Sequence, residues 1–154
     1  MSSWIHELPK AELHLHLEGA VEPETLAELA PGLAPGEIRA RYRYEDFQGF
    51  LRSYQWVCQH LGGPDAYALV TRRLVERLER ENVRYAEIIL SAGVILRMKR
   101  DLAAIYDAVR RESLRAKVEV RWLFDGVRQF SVESVQRVAE MAADAIVGAP
   151  QETV

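Results

Sequence analysis

Residues 12–18 alternate strictly between leucine and polar residues, and this alternation constrains the fold more than any other feature of the chain. The leucines share one parity and the polar side chains the other: Leu13, Leu15 and Leu17 against Glu12, His14, His16 and Glu18. Because successive residues of a strand point to opposite faces, the pattern predicts a strand with one apolar and one polar face, ended by Gly19. The leucines are expected to pack against surrounding helices.

The rest of the chain alternates between helical and extended patterns. Two further strands are predicted over residues 84–90 and 118–124. Apolar spacing and caps such as Asp101 and Ser131 predict the helices, over residues 23–30, 44–61, 65–81, 101–115 and 131–146. This order favours an α/β fold in which helical crossovers join parallel strands. We expect one domain over residues 1–154.

Length and composition restrict the class of protein. The 154 residues are 49% hydrophobic, which is typical of a globular chain. No apolar run is long enough to cross a membrane, and no secretion signal is apparent, so we expect a cytoplasmic protein. The net charge is −3 and the basic residues are dispersed, which argues against nucleic-acid binding. The single cysteine, Cys58, excludes an internal disulfide.

The pair His14 and His16 is the strongest chemical signal. Residues two apart on a strand lie on the same face, about 6.6 Å apart along it, so the two imidazoles can converge on one metal ion. On spacing alone, a surface pair or hydrogen-bonded core histidines are commoner than a metal site. Glu18 lies nearer the carboxyl end of the strand, where parallel βα folds place their active sites, and suits a substrate hydroxyl or amine.

A longer string of residues around the histidine pair is more specific. Residues 8–19 (LPKAELHLHLEG) and 23–26 (PETL) closely resemble the opening motif of the adenosine deaminase family. Residues 85–91 (YAEIILS) resemble the second strand of that family, and residues 124–128 (FDGVR) resemble the end of its third strand. The resemblance covers nearly the whole chain, although only the first segment is sharply diagnostic.

This resemblance implies the N-terminal portion of a zinc-bearing (β/α)8 barrel, which hydrolyses the amino group of a purine nucleoside or base and releases ammonia. It implies that His14 and His16 are ligands of one Zn²⁺ ion, and that His16 and Glu18 contact the small-molecule substrate. The family's third histidine ligand, catalytic glutamate and aspartate ligand would lie downstream of residue 154. No catalytic residue is therefore expected in this segment, which we expect to be inactive alone.

The chain departs from the family pattern at four positions: Glu18, where aspartate is frequent, Ile89, Ala92 and Asp125. These departures leave the substrate open between adenosine, adenine and aminodeoxyfutalosine. A chain of this length also falls short of the roughly 250 residues of a closed barrel, so a smaller open α/β unit is an alternative. Two other functions stay open, another His-x-His metal-dependent hydrolase (a phosphoesterase or cyclic amidohydrolase) and a non-catalytic truncated barrel.

Several further residues admit more than one interpretation. Helical spacing favours core packing over a pocket mouth for most of Phe47, Phe50 and Tyr54, and Cys58 on the same apolar stripe is expected to be buried. Glu87 has the parity of a residue that faces the barrel interior, which leaves two interpretations open, support for the site residues or an ion pair with Arg121 or Arg128. Gly93 is expected in a turn. Exposed strand edges of a partial barrel predict self-association, which size-exclusion chromatography would test; a well-behaved monomer would contradict it.

Overall fold

The computed structural model describes residues 4–147, in which three strands alternate with helices. The strands are β1 (Lys10–His16), β2 (Val83–Leu90) and β3 (Glu119–Phe124). The helices are α1 (Trp4–Glu7), α2 (Pro23–Leu29), α3 (Pro35–Arg41), α4 (Phe47–His60), α5 (Pro64–Arg80), α6 (Ala92–Arg97), α7 (Leu102–Ser113) and α8 (Val132–Val147), with a 3₁₀ turn at Glu18–Ala20. The predicted strands over 84–90 and 118–124 are confirmed to within one residue.

The strands form one parallel sheet in the order β1-β2-β3, which confirms the α/β prediction. The face of β2 towards the helices is fully buried at Ala86, Ile88 and Leu90, and the core continues into α4, α5 and α7. Burial of this face is the main stabilising contribution, at about 25 cal/mol for each Å² of apolar surface removed from water. The opposite face of the sheet stays partly open, and it carries the polar residues.

Side-chain caps fix where three of the helices begin. The Asp46 carboxylate accepts the N–H of Gly49 at the start of α4, and Asp101 accepts the N–H of Ala104 at the start of α7. Ser131 accepts the N–H of Ser134 at the start of α8. The caps predicted at Asp101 and Ser131 are therefore confirmed, and each satisfies a backbone donor that the first helical turn leaves without a partner.

The predicted extent of the first strand, about residues 12–18, is wrong at its carboxyl end. β1 ends at His16, because Leu17 turns into the helical region (φ −54°, ψ −50°) and Glu18 begins the 3₁₀ turn. The backbone of Leu17 stays satisfied, since its N–H donates to Ile89 O and its carbonyl accepts the N–H of Ala20. The ladder with β2 is also irregular between Glu12 and Leu15, so the strict alternation does not correspond to a regular strand.

The exposure of Leu13 is a second difference. Leu13, expected to pack against helices, has an exposed fraction of 63%, whereas Leu17 is fully buried. β1 lies at one edge of the described sheet, where β2 is its neighbour. Leu123 of β3, at the other edge, has an exposed fraction of 41%. Unpaired edges with exposed leucines are consistent with the predicted self-association, which stays a prediction.

Three short helices, α1, α3 and α6, were not expected from the sequence. Gly93, predicted to lie in a turn, is in the first part of α6. A Cβ atom at this position would lie 2.9 Å from the backbone nitrogen of Val127, so the chain after β3 approaches too closely for a side chain. Gly93 also donates its N–H to Asp125 O, which ties α6 to the residue that follows β3.

Candidate active site

The carboxyl ends of the three strands meet at one edge of the sheet. β1 ends at His16, which pairs with Ile89, and the last pair of the β2–β3 ladder is Leu90 with Phe124. The next polar residues along each segment are Glu18, Ser91 and Asp125. Parallel βα folds place their active sites at this edge. The candidate site is therefore defined here by His14, His16, Glu18, Ser91 and Asp125.

His14 and His16 lie on the same side of β1 despite the irregular ladder. Their ring centroids are 5.3 Å apart, with the ring planes inclined by 56°. His14 is exposed and His16 is half-buried. Two imidazoles at this separation fit a shared divalent ion, because zinc takes neutral imidazole nitrogens as ligands.

The described residues contain no complete metal site. Within residues 4–147, no cluster of three or more His, Cys, Asp or Glu side chains has the arrangement to hold a metal ion. A catalytic zinc usually has three protein ligands and a water. The histidine pair therefore fits two positions of such a donor set, and its role as a ligand pair stays a prediction.

Glu18 is a carboxylate buried at the end of β1, with an exposed fraction of 1%. Its Oε1 accepts the N–H of Ser91 at 3.1 Å and lies 3.4 Å from the donating hydroxyl of Tyr67. Its Oε2 is buried without a hydrogen-bond partner. Burial raises the pKa of Glu18 to about 7, although hydrogen bonds from its own backbone and from Ser91 act to lower this pKa. The carboxyl group can therefore be protonated or ionised near neutral pH.

Asp125 follows β3 directly and is a second acidic group with an unsatisfied atom. Its Oδ1 is buried without a hydrogen-bond partner, although the residue as a whole is only half-buried. Burial raises the pKa of Asp125, and the charge of His16 opposes that shift. This aspartate departs from the family pattern, and no role was predicted for it from the sequence. Its position directly after a parallel strand was the signal that indicated a site residue.

Tyr54 of α4 forms a wall of the site. Its hydroxyl is hydrogen-bonded to the hydroxyl of Ser91, which is almost completely buried. A Cβ atom at Gly19 would lie 3.7 Å from the Tyr54 ring and 3.5 Å from His16 Cβ, so the ring packs close to the end of β1. Burial raises the pKa of Tyr54. Neither Ser91 nor this contact of Tyr54 was predicted from the sequence.

The aromatic residues before Tyr54 on α4 lie towards solvent. Phe47 has an exposed fraction of 68%, so its assignment to the core was wrong, while Phe50 is half-buried. The ring centroids of Phe47 and Phe50 are 6.0 Å apart, and those of Phe50 and Tyr54 are 6.3 Å apart. The three rings thus form a row from the surface to the site wall, whereas Cys58 is buried as expected.

Glu87 faces the open side of the sheet, as its parity predicted, because its neighbours on β2 are buried against the helices. The ion pairs proposed for it were wrong. Its Oε1 accepts a hydrogen bond from the Tyr85 hydroxyl at 2.9 Å, and Arg121 instead pairs with Glu119 at 2.7 Å. Arg128 forms no ion pair within residues 4–147.

A known protein family matches most of this chain. The family model described as adenosine deaminase matches residues 9–149, which is most of the chain. The chain belongs to the adenosine deaminase family. The match includes β1 with its histidine pair, Glu18, and the strand ends that carry Ser91 and Asp125.

Curated members of the adenosine deaminase family resemble this chain along most of its length. It is 30% identical over 155 aligned residues to the aminodeoxyfutalosine deaminase of Streptomyces avermitilis, covering 94% of this chain and 43% of that protein. It is 35% identical over 146 residues to the adenine deaminase of Rhizobium leguminosarum bv. trifolii, covering 90% and 45%. The chain therefore spans less than half the length of these relatives.

Solved structures give the same picture of the fold. The adenine deaminase of Arthrobacter aurescens matches with a TM-score of 0.76 and 26% identity, covering 90% of this chain and 46% of that one. The structure of Arabidopsis ADAL complexed with GMP matches with a TM-score of 0.80 and 22% identity, covering 94% and 48%. The described strands and crossovers thus form part of a (β/α)8 barrel, as the resemblance implied, rather than a smaller open α/β unit.

Proposed function

We propose that this chain supplies the first metal ligands and part of the purine pocket of an enzyme that hydrolyses the amino group of an adenine-like compound and releases ammonia. The observation that carries the proposal is the histidine pair on one side of β1, beside the buried Glu18 with its unpartnered Oε2. Relatives named adenine deaminase and aminodeoxyfutalosine deaminase support an adenine-like substrate. Membership of the adenosine deaminase family favours this function over a phosphoesterase or cyclic amidohydrolase.

The metal in this proposal is a single Zn²⁺ ion held by His14 and His16, with further ligands from outside these residues. When bound, zinc supplies Lewis-acid chemistry that activates water as a nucleophile near neutral pH. His16 is the more buried of the two histidines, and its charge acts to lower the pKa of Asp125, so the two groups interact electrostatically. A solved amidohydrolase from Burkhoderia ambifaria, which has the same fold and is 20% identical to this chain, contains bound Zn.

Glu18 and His16 are the substrate-binding residues of the proposal. Ser91 and Tyr67 hold Oε1 of Glu18, so Oε2 is the atom left to bind a ligand. A carboxyl group with a pKa of about 7 can donate a hydrogen bond to a purine ring nitrogen or accept one from an N–H group. A bound purine would then satisfy a polar atom whose burial is otherwise costly.

Turnover requires more than these residues supply. Two imidazoles leave a catalytic zinc site without its remaining protein ligand, and no residue described here is assigned as the general acid or base. We therefore propose that the 154 residues bind metal and purine but do not deaminate the purine alone. Steady ammonia release from adenine or adenosine by the purified chain would contradict this part of the proposal. A cytoplasmic location, expected from the sequence, stays a prediction.

Purine binding by the purified chain tests the role of Glu18. We expect adenine or adenosine to bind to the zinc-loaded chain, and Glu18→Ala to weaken binding at least about tenfold, as loss of a buried charged or polar partner predicts. Calorimetric titration measures both affinities. Glu12→Ala is the matched control, because Glu12 is an exposed carboxylate on the same strand and should leave binding unchanged. Equal binding by wild type and Glu18→Ala would overturn the assignment.

A further inference from the structure

Tyr67 of α5 is a buried tyrosine whose hydroxyl reaches the candidate site. Its exposed fraction is 1%, and it belongs to the main apolar core together with Leu17 and Val70. Within residues 4–147, the polar partner of the Tyr67 hydroxyl is Oε1 of Glu18, at 3.4 Å. Phenylalanine would fill the same apolar space without a polar atom to satisfy, so the tyrosine at this position indicates a use for the hydroxyl group.

The backbone of Tyr67 is fixed in the first turn of a long helix. Its N–H donates to Gly63 O at 3.1 Å, and its carbonyl accepts the hydroxyl of Thr71, which is fully buried, at 2.8 Å. α5 continues to Arg80, and it packs against α7 and β2. The hydroxyl of Tyr67 is therefore presented to Glu18 by a packed helix rather than by a loop.

Tyr67 is the donor in its contact with Glu18. Burial raises the pKa of Tyr67 and the charge of Glu18 raises it further, so the phenol stays protonated at neutral pH. The N–H of Ser91 donates to the same Oε1 at 3.1 Å. Two donors from different elements, α5 and the residue after β2, thus fix Oε1, while Oε2 is buried without a partner among residues 4–147.

The contact between the two side chains depends on the length of Glu18. At 3.4 Å it is at the long end of hydrogen-bond distances, so a carboxyl group one methylene shorter at this position would not reach the Tyr67 hydroxyl. That hydroxyl would then be buried without a partner, which costs stability. Glu18→Asp therefore keeps a carboxyl group in the site and removes its contact with Tyr67.

We propose that Tyr67 is a positioning residue for purine binding, whose hydroxyl holds Oε1 of Glu18 so that Oε2 is presented to the ligand. This inference rests on the proposed function, because it requires Glu18 to bind the purine. Tyr67 acts through Glu18 rather than by contacting the ligand or the metal itself. Its substitution therefore changes purine affinity only where Glu18 is present at full length, and it leaves zinc affinity unchanged.

A double-mutant cycle tests this inference, with calorimetric titration of the zinc-loaded chain by adenine and by adenosine. Tyr67→Phe should weaken the binding of whichever compound the wild-type chain binds by about fivefold or more, as loss of a hydrogen bond to a carboxylate predicts. Glu18→Asp should itself weaken binding. In the Glu18→Asp background, Tyr67→Phe should change the affinity by less than about twofold, because the contact that it removes is already absent.

The matched control is Tyr42→Phe, because the Tyr42 hydroxyl donates to Val21 O at 2.9 Å outside the candidate site. It should leave purine affinity unchanged. Wild-type purine affinity in Tyr67→Phe would overturn the inference and leave the proposed function standing. Equal losses from Tyr67→Phe in the wild-type and Glu18→Asp backgrounds would also overturn it, because Tyr67 would then support the fold rather than Glu18. If the wild-type chain binds neither compound, the proposed function fails and this inference fails with it.

Discussion

Both ends of the sheet carry polar residues, but the two ends differ in whether those residues find hydrogen-bond partners within the chain. At the amino end, Lys10 Nζ donates to the carbonyls of Glu81, Leu8 and His6, at 2.7, 3.0 and 3.3 Å. Asn82 donates to the carbonyl of Glu7 in the same region. These contacts join α1 to the turn before β2, and each polar group finds a partner within the chain.

The carboxyl end leaves polar atoms without partners. Glu18 Oε2 and Asp125 Oδ1 are the two buried side-chain atoms that lack a hydrogen bond within residues 4–147, and both lie at this end. Such atoms cost stability, because they lose their hydration and gain nothing in return. We infer from this contrast that the polar residues at the amino end stabilise the fold, whereas those at the carboxyl end are positioned to bind a ligand from outside the chain.

The largest expected effect that tests this contrast is at Glu18. Its pKa is raised from 4.5 to about 7, so the folded chain binds more protons than the unfolded chain between these values, and stability falls as pH rises through that window. Glu18→Gln cannot ionise. Its stability relative to wild type should therefore increase by about 3 kcal/mol between pH 4.5 and pH 8, at about 1.4 kcal/mol per pKa unit.

Urea denaturation of the metal-free chain at the two pH values measures this difference. Glu12→Gln is the control, because the Glu12 side chain is exposed on the same strand and its substitution should give no pH-dependent change. If Glu18→Gln has the same stability relative to wild type at both pH values, the two ends of the sheet do not differ as described.

A smaller effect of opposite sign is expected at the amino end. Asn82 has a positive φ of 58° and donates its side-chain amide to Glu7 O. Asn82→Ala removes the hydrogen bond and introduces alanine, which adopts the left-handed conformation less readily than asparagine. The substitution should therefore destabilise the chain by about 1–2 kcal/mol at every pH. Denaturant titration gives the value.

Asn82→Gly separates the two causes, because glycine adopts the same backbone conformation without strain. Its loss of stability should be smaller than that of Asn82→Ala. If Asn82→Ala stabilises the chain, or destabilises it only above pH 7, then the polar groups at the amino end also lack effective hydrogen-bond partners, as those at the carboxyl end do.

The sequence predicted the elements that carry long, regular patterns. β2 and β3, with their apolar and alternating residues, were located to within one residue, and the caps at Asp101 and Ser131 were recognised from residue type. The end of β1 was not, because the alternating pattern continues to Glu18 while the backbone turns at Leu17. A pattern of side chains does not record where the backbone leaves the ladder.

Short and isolated features of the structure were not predicted from the sequence. Pro35 begins α3, where no helix was predicted, although proline favours the first position of a helix. Ser91 and Asp125 are single residues after strands, with no spacing that marks them. The exposure of Phe47 depends on where α4 sits over the sheet, which is a tertiary property that helical periodicity does not contain.

We propose that His14 and His16 together bind one metal ion. Zinc binding to the purified chain at pH 7.5, measured by calorimetric titration, tests it most directly. We expect about one ion per chain, with affinity reduced at least about tenfold by His14→Ala and by His16→Ala, as loss of a ligand requires, and unchanged by His6→Ala on the exposed α1. Wild-type zinc affinity in either His14→Ala or His16→Ala would contradict it.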